Sequence, residues 1–298
     1  MTEFLQQLIN GLALGAIYAL IALGYTMVYG VLRFINFAHG DVFMLGAFSG
    51  YYLARIFPQE SFLGAAGVFA GSMLICAIIG IIIERFAYRP LRDRPKLTVL
   101  ITAIGVSLLI EYTGQHEKVF GAAPRTFPNL VPDTNFVIAG VSVNSDQILV
   151  LVVAVILMIG LQLIVLKTKI GTAMRALSFN AQAAALMGIN INVVISFTFG
   201  LGSALAAAGG ILYAMNYTSI DPLMGILPGL KAFVAAVLGG IGNIPGAALG
   251  GLIMGVVETF TAGYISSAYR DAVAFSILIL ILIFKPSGLL GKTQVEKV

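Results

Sequence analysis

Apolar positions along this chain do not recur at the spacing of an amphipathic helix or alternate as in a half-buried strand. They run on in long blocks separated by short clusters of charge, proline and glycine. The blocks fall near 4–31, 41–57, 62–83, 97–113, 147–166, 191–215, 228–262 and 268–284. A helix crossing a hydrocarbon core of about 30 Å needs about 20 such residues, so the blocks predict repeated membrane crossings. The seventh is too long for one helix. It contains Gly239-Gly240-Ile241-Gly242-Asn243-Ile244-Pro245-Gly246, where glycine weakens a helix and proline removes a backbone donor. Two helical pieces are expected there, either a hairpin of two crossings or a re-entrant pair. The expected fold is all-α: a polytopic transmembrane helical bundle of about eight to nine membrane segments including the glycine-broken pair, forming one domain over 1–298.

Composition strengthens this reading. Of the residues, 59% are hydrophobic and 10% charged, against about 45–50% apolar and about 25% charged in soluble domains. Met1-Thr2-Glu3-Phe4 lacks the cationic start of a secretory signal, so the first block is expected to be a retained helix. Small residues fill stretches such as Gly200-Leu201-Gly202-Ser203-Ala204, as in helices whose backbones approach closely within a bilayer.

The net charge of +4 points to topology rather than nucleic acid, because the cations sit at the ends of apolar blocks. Short cytoplasmic loops are enriched in Lys and Arg. The stretch 85–96 holds Arg85, Arg89, Arg92, Arg94 and Lys96, and 167–190 holds Lys167, Lys169 and Arg175 without an acid; both are expected inside. The stretch 114–146, with prolines and three acids against two cations, is expected to be an irregular external loop. Crossing parity then puts the N-terminus outside and the tail from Lys285 inside.

No catalytic or metal-binding grouping is visible. Cys76 lies within an apolar block with no second cysteine and reads as a packing residue. Neither His39 nor His116 has a nucleophile arrangement around it. Gly291-Lys292-Thr293 matches the end of a phosphate-binding loop, but Pro286 stands where that pattern needs glycine. Polar residues in apolar segments each need a reason. Asn36, His39 and Asp41 between the first two blocks form either an interfacial turn or a gate. Lys231 and Glu258, either side of the glycine-rich break, either pair across its two pieces or, with Asn243, flank a conduit. Finally, Asn180-Ala181-Gln182-Ala183-Ala184-Ala185-Leu186-Met187-Gly188 reads as a short helix stopped by Gly188, more elaborate than a connector requires.

Several long motifs in order carry a resemblance over essentially the whole chain: Tyr18-Ala19-Leu20 through Gly30 leading into Asn36-Phe37-Ala38-His39-Gly40, Glu84-Arg85 through Tyr88-Arg89-Pro90, Leu186-Met187-Gly188-Ile189-Asn190, and Lys231-Ala232-Phe233 through Gly246. On them the sequence resembles the LivH-type permease subunits of branched-chain amino acid ABC transporters. The resemblance implies half of a translocation pore in the bacterial cytoplasmic (inner) membrane, carrying leucine, isoleucine and valine. It implies as partners a LivM-like second permease, two cytoplasmic ATPase subunits and a periplasmic amino-acid-binding protein. ATP hydrolysis would lie in the partners; this chain would be no enzyme and need no cofactor or metal. Such permeases meet their ATPases through Glu-Ala-Ala, three residues, then Gly. Gln182-Ala183-Ala184 followed by Gly188 keeps that spacing with Gln for Glu and without the trailing Ile-x-Leu-Pro. The implied coupling loop is 167–190, with Arg175, Asn180, Gln182, Ala183, Ala184 and Gly188 as its contact residues; Ala183, Ala184 and Gly188 would permit close approach and Arg175 anchor the end.

Two further readings compete. Related permeases carry urea, short amides or other amino acids. A stand-alone secondary transporter would place its substrate at the broken segment near the midplane, and would transport without partners. A membrane-embedded enzyme would need acids gathered at one depth, and in the sequence they are scattered singly.

Overall fold

The apolar blocks fold as helices because a chain in lipid must satisfy its backbone polar groups within each segment. The computed structural model describes residues 2–32, 34–92, 94–138 and 140–291. Its helices are α1 (Thr2–Leu32), α2 (His39–Leu53), α3 (Phe62–Ile83), α4 (Lys96–Gln115), α5 (Ser145–Lys167), α6 (Lys169–Phe179), α7 (Ala181–Leu186), α8 (Ile191–Tyr217), α9 (Ile226–Gly239), α10 (Ile244–Tyr264) and α11 (Arg270–Phe284). Among the described residues seven helical spans are long and apolar enough to cross a membrane. Short polar side chains set the helix starts. Asn144 caps α5 in a reciprocal box with Gln147, and Asn190 and Asn243 cap α8 and α10, each accepting from first-turn N–H groups that have no partner within the helix.

The seventh block divides as its glycines require. Helix α9 stops at Gly240, whose φ of +105° suits glycine, and α10 resumes four residues later with Pro245 in its first turn. The two pieces form a hairpin. The turn beyond α11 docks on the bend: Leu289 and Leu290 N–H donate to the carbonyls of Leu238 and Gly239 at 2.8 and 3.0 Å. Two expectations change. The block at 41–57 is only 15 residues of helix, His39–Leu53, and ends in a turn at Ala54–Phe57. The 114–146 stretch is not wholly irregular. Strands β2 (Asn135–Ile138) and β3 (Val141–Asn144) form a hairpin turning at Gly140, while β1 (Arg125–Thr126) pairs with β4 (Ser219–Ile220) beyond α8.

Helix α1 is the axis, with 94% of its apolar window buried, against 17% for α4 and 6% for the span containing α11. It lies along α10 through glycine. A Cβ at Gly255 would fall on the backbone of Gly15, and one at Gly251 on that of Ala19. This is the small-residue contact by which helices attract in lipid, where oily side chains gain nothing by leaving their solvent. Gly255→Leu is therefore expected to force α1 and α10 apart at a cost of about 3 kcal/mol or more, the upper range for overpacking. Thermal unfolding of the purified protein in lipid nanodiscs should show it; an unchanged midpoint would mean the helices can separate freely.

Candidate functional site

The elbow between α5 and α8 forms first from local rules. Thr168 Oγ1 caps α6 by accepting from Gly171 N–H at 3.1 Å, and Asn180 Oδ1 caps α7 by accepting from Ala183 N–H at 3.0 Å. Gly188, at φ +82°, ends α7 in the left-handed conformation with nothing near its missing side chain. Arg175 bends back on its own elbow, donating to Leu166 O and Thr172 Oγ1. Gln182 and Ala183 are exposed, but Ala184 is 4% exposed and packs into its own chain. Of the small residues that the spacing singles out, Ala183 is thus turned outward and Ala184 toward its own chain. Composition hid a different feature: Phe179, Leu186 and Met187 are 87%, 89% and 83% exposed on this polar elbow.

The polar side chains of the turn Asn36–Asp41 are buried within the chain, and they diverge. Asn36 Oδ1 accepts from Tyr88 Oη at 2.5 Å, His39 packs edge-on against Tyr25 at 4.7 Å, and Asp41 Oδ2 accepts from Ser107 Oγ at 2.5 Å. Ser107 also lies 3.4 Å from Glu111, so the acids are not all scattered singly. Here two short helices begin against each other. Gly40 at the start of α2 abuts Gly225 and Gly229 at the start of α9 so closely that a Cβ on any of them would meet backbone. At 15 and 14 residues each is shorter than the about 20 needed to span. They diverge from this point, α2 toward the β-hairpin side and α9 toward the bend at 240–243.

Lys231 and Glu258 meet. Lys231 Nζ lies 2.8 Å from Glu258 Oε1 and 2.7 Å from Asp271 Oδ1, and Tyr18 Oη donates to Glu258 Oε2 at 2.8 Å. The pair is buried, while Asp271 is 47% exposed. This joins α1, α9, α10 and α11, and Arg270 Nε stands 4.0 Å from Glu258. Sequence reasoning anticipated the pair but missed Tyr18, far away in the chain, and Arg270 and Asp271, which only the turn between α10 and α11 brings back to it. Asn243 sits apart from them, capping α10 and donating to Leu290 O at 2.6 Å. Cys76 is buried, its thiol 3.8 Å from Val42 O. Among the described residues no group of three His, Cys, Asp or Glu could hold a metal. The phosphate-loop resemblance runs into Lys292 and Thr293, outside the described residues.

Above the ion network, at the bundle end nearest the β-hairpin, lies a cavity of about 400 Å³ bordered by residues of α1, α5, α8, α10 and α11. The elbow α6–α7 is at the opposite end, since α5 runs into it and α8 out of it.

The sequence pattern of the family described as branched-chain amino acid transport system, permease component, matches residues 7–282. The chain is 44% identical over 305 residues to the high-affinity branched-chain amino acid transport system permease protein BraD of Pseudomonas aeruginosa, covering 99% of this chain and 98% of that protein. It is 41% identical over 307 residues to the corresponding LivH of Escherichia coli, with 99% and 98% covered. It is also 31% identical over 289 residues to a probable branched-chain amino acid transport permease protein LivH of Methanocaldococcus jannaschii, with 91% and 88% covered.

Proposed function

The chain belongs to the family of branched-chain amino acid transport permeases, and from that premise we propose how it works within an ABC importer. It is a multi-pass membrane protein and a transport permease subunit. In our reading its cargo is leucine, isoleucine and valine, it forms half of a pore in the cytoplasmic membrane, and a second, LivM-like permease forms the other half. Two cytoplasmic ATPases supply the energy and a periplasmic binding protein delivers the amino acid. Near-full-length identity of 44% and 41% to two permeases of high-affinity branched-chain systems carries this reading.

The single domain over 1–298 then has its external loop at 114–146 and its coupling loop at 167–190. Arg175 and Asn180 fix the shape of the elbow, Gln182 and Ala183 offer its exposed face, and Gly188 gives the turn that frees Leu186 and Met187. The ATPase takes this elbow and its closure moves α5 and α8, which enter and leave it. Asn36, His39 and Asp41 form the gate at the meeting of α2 and α9, a discontinuity of the kind transporters place at a substrate path. Lys231 and Glu258 hold α9 against α10 beside the path, and Asn243 holds the bend.

ATP-dependent uptake of labelled leucine into proteoliposomes tests the reading. Uptake is expected with the complete assembly and to be absent with this chain alone. Uptake by the lone chain, driven by an ion gradient, would make it a secondary transporter and overturn the proposal.

A further inference from the structure

The cavity at the hairpin end is built unlike a packing defect. Voids left in apolar bundles are lined by apolar atoms and stay dry. This one is bordered by Gln7, Asn10, Gln147, Asn216, Thr259 and Arg270, contributed by five helices. Its amides are partly ordered among themselves. Asn10 Oδ1 accepts from Gln147 Nε2 at 2.8 Å and from Gln6 Nε2 at 3.2 Å, which leaves the Asn10 NH2 without an acceptor among the described residues.

Arg270 supplies the charge. Its Nε is buried without a hydrogen-bond partner, and Glu258, at 4.0 Å, is beyond hydrogen-bond reach. Glu258 is already held by Lys231 and Tyr18, and Lys231 is shared with Asp271. The network therefore has equal cations and carboxylates, but the guanidinium is balanced only at a distance and keeps donors for another group. A planar guanidinium recognises a carboxylate through parallel N–H bonds. A ligand that brings a carboxylate alone would add net charge to a partly buried site; a zwitterion brings its own compensation, its ammonium meeting the amide oxygens or the carboxylates behind them.

We propose that this cavity is a subsite for the α-carboxylate and α-ammonium of the transported amino acid, with Arg270 taking the carboxylate. The inference rests on the permease reading and deepens it. Volume allows this: small-ligand sites begin at about 300 Å³. Apolar lining is scarce, with Leu14 and Ala262 the aliphatic contributors. The subsite thus reads what amino acids share and does not rank leucine against valine.

The test uses the complete assembly in proteoliposomes, with Ala262→Cys as a reporter labelled from outside by a small methanethiosulfonate reagent; Cys76 is fully buried and does not react. Saturating leucine, isoleucine and valine are each expected to slow labelling at least about 5-fold. Leucinamide, which lacks the carboxylate, and 4-methylpentanoate, which lacks the amine, are expected to leave it unchanged. In parallel, Arg270→Gln is expected to lower uptake of all three amino acids at least about 10-fold and by one common factor, with Arg270→Lys restoring part of it. Labelling unaffected by leucine in an assembly whose wild-type form transports would overturn the subsite and leave the permease reading intact. Equal protection by 4-methylpentanoate, or loss that differs among the three amino acids, would overturn the head-group assignment. Absence of uptake by the wild-type assembly would remove the permease reading and the subsite together.

Discussion

Lys231→Met is expected to lower stability by about 3–5 kcal/mol, the cost of removing one partner of a buried ion pair and stranding the other. Glu258 is 3% exposed and its Oε1 sits 2.8 Å from Lys231 Nζ. Without the lysine it keeps one short hydrogen bond, from Tyr18, and a guanidinium at 4.0 Å. Asp271 loses the same partner but is 47% exposed and finds water, so the penalty concentrates on Glu258. Paired replacement separates structure from transport. Lys231→Met with Glu258→Leu removes both buried charges together and leaves Arg270 and Asp271, which are 39% and 47% exposed, and exchanging a buried pair for well-packed apolar groups is often neutral or stabilising. The double variant should therefore recover most of the stability lost by the single one. Thermal unfolding in lipid nanodiscs measures both. A single variant within about 0.5 kcal/mol of wild type, the ordinary range for surface changes, would show that the pair does not hold α9 to α10 and would favour its use as a conduit.

The pair was legible in sequence because a lysine and a glutamate flanking one glycine-rich break are brought together by any hairpin at that break. Tyr18 and Arg270 were not, since nothing local ties the middle of α1 or the start of α11 to Glu258. Helix existence followed from block length, and the split at 239–246 followed from Gly240 and Pro245. Helix depth did not follow. The polar turn at 36–41 reads from sequence as either an interfacial turn or a gate; in the fold its polar side chains are buried, Asn36 and Asp41 paired with Tyr88 and Ser107 from α3's continuation and α4 while His39 Nε2 has no hydrogen-bond partner among the described residues. Membership of the 167–190 elbow was readable from spacing, whereas its outward face was not. A six-residue helix is too short for an apolar periodicity to show which side it turns to its own chain, so Ala184 was grouped with Ala183 although Ala183 is exposed and Ala184 is buried. The cavity is illegible for the same reason as the ion network: its polar lining comes from five separate helices, the amides from α1, α5 and α8, Thr259 from α10 and Arg270 from α11.

Leu186→Asp with Met187→Asp is expected to lower ATP-driven uptake at least about 30-fold at limiting ATPase while leaving the permease folded. Both side chains are more than 80% exposed, on an elbow carrying Lys167, Lys169 and Arg175 that the proposed reading places in the cytoplasm. Their removal costs the isolated chain little, about 0.5 kcal/mol or less as for other surface substitutions. Large apolar side chains standing free on a polar elbow are what the proposed docking of the ATPase would cover. Anchors of that kind contribute about 2 kcal/mol or more, and 2 kcal/mol corresponds to about 30-fold in affinity. Gly188→Trp should act in the same direction by another route, because a non-glycine residue at φ +82° adds about 1–2 kcal/mol of strain and turns the Leu186–Met187 face away. The diagnostic measurement pairs uptake with a titration of the ATPase subunits. If docking is what fails, raising their concentration should restore uptake in the double Asp variant. Uptake unchanged at limiting ATPase would show that the apolar end of α7 is not the contact, while loss that no excess of ATPase repairs would place the defect in transmission through α5 and α8 instead of in docking.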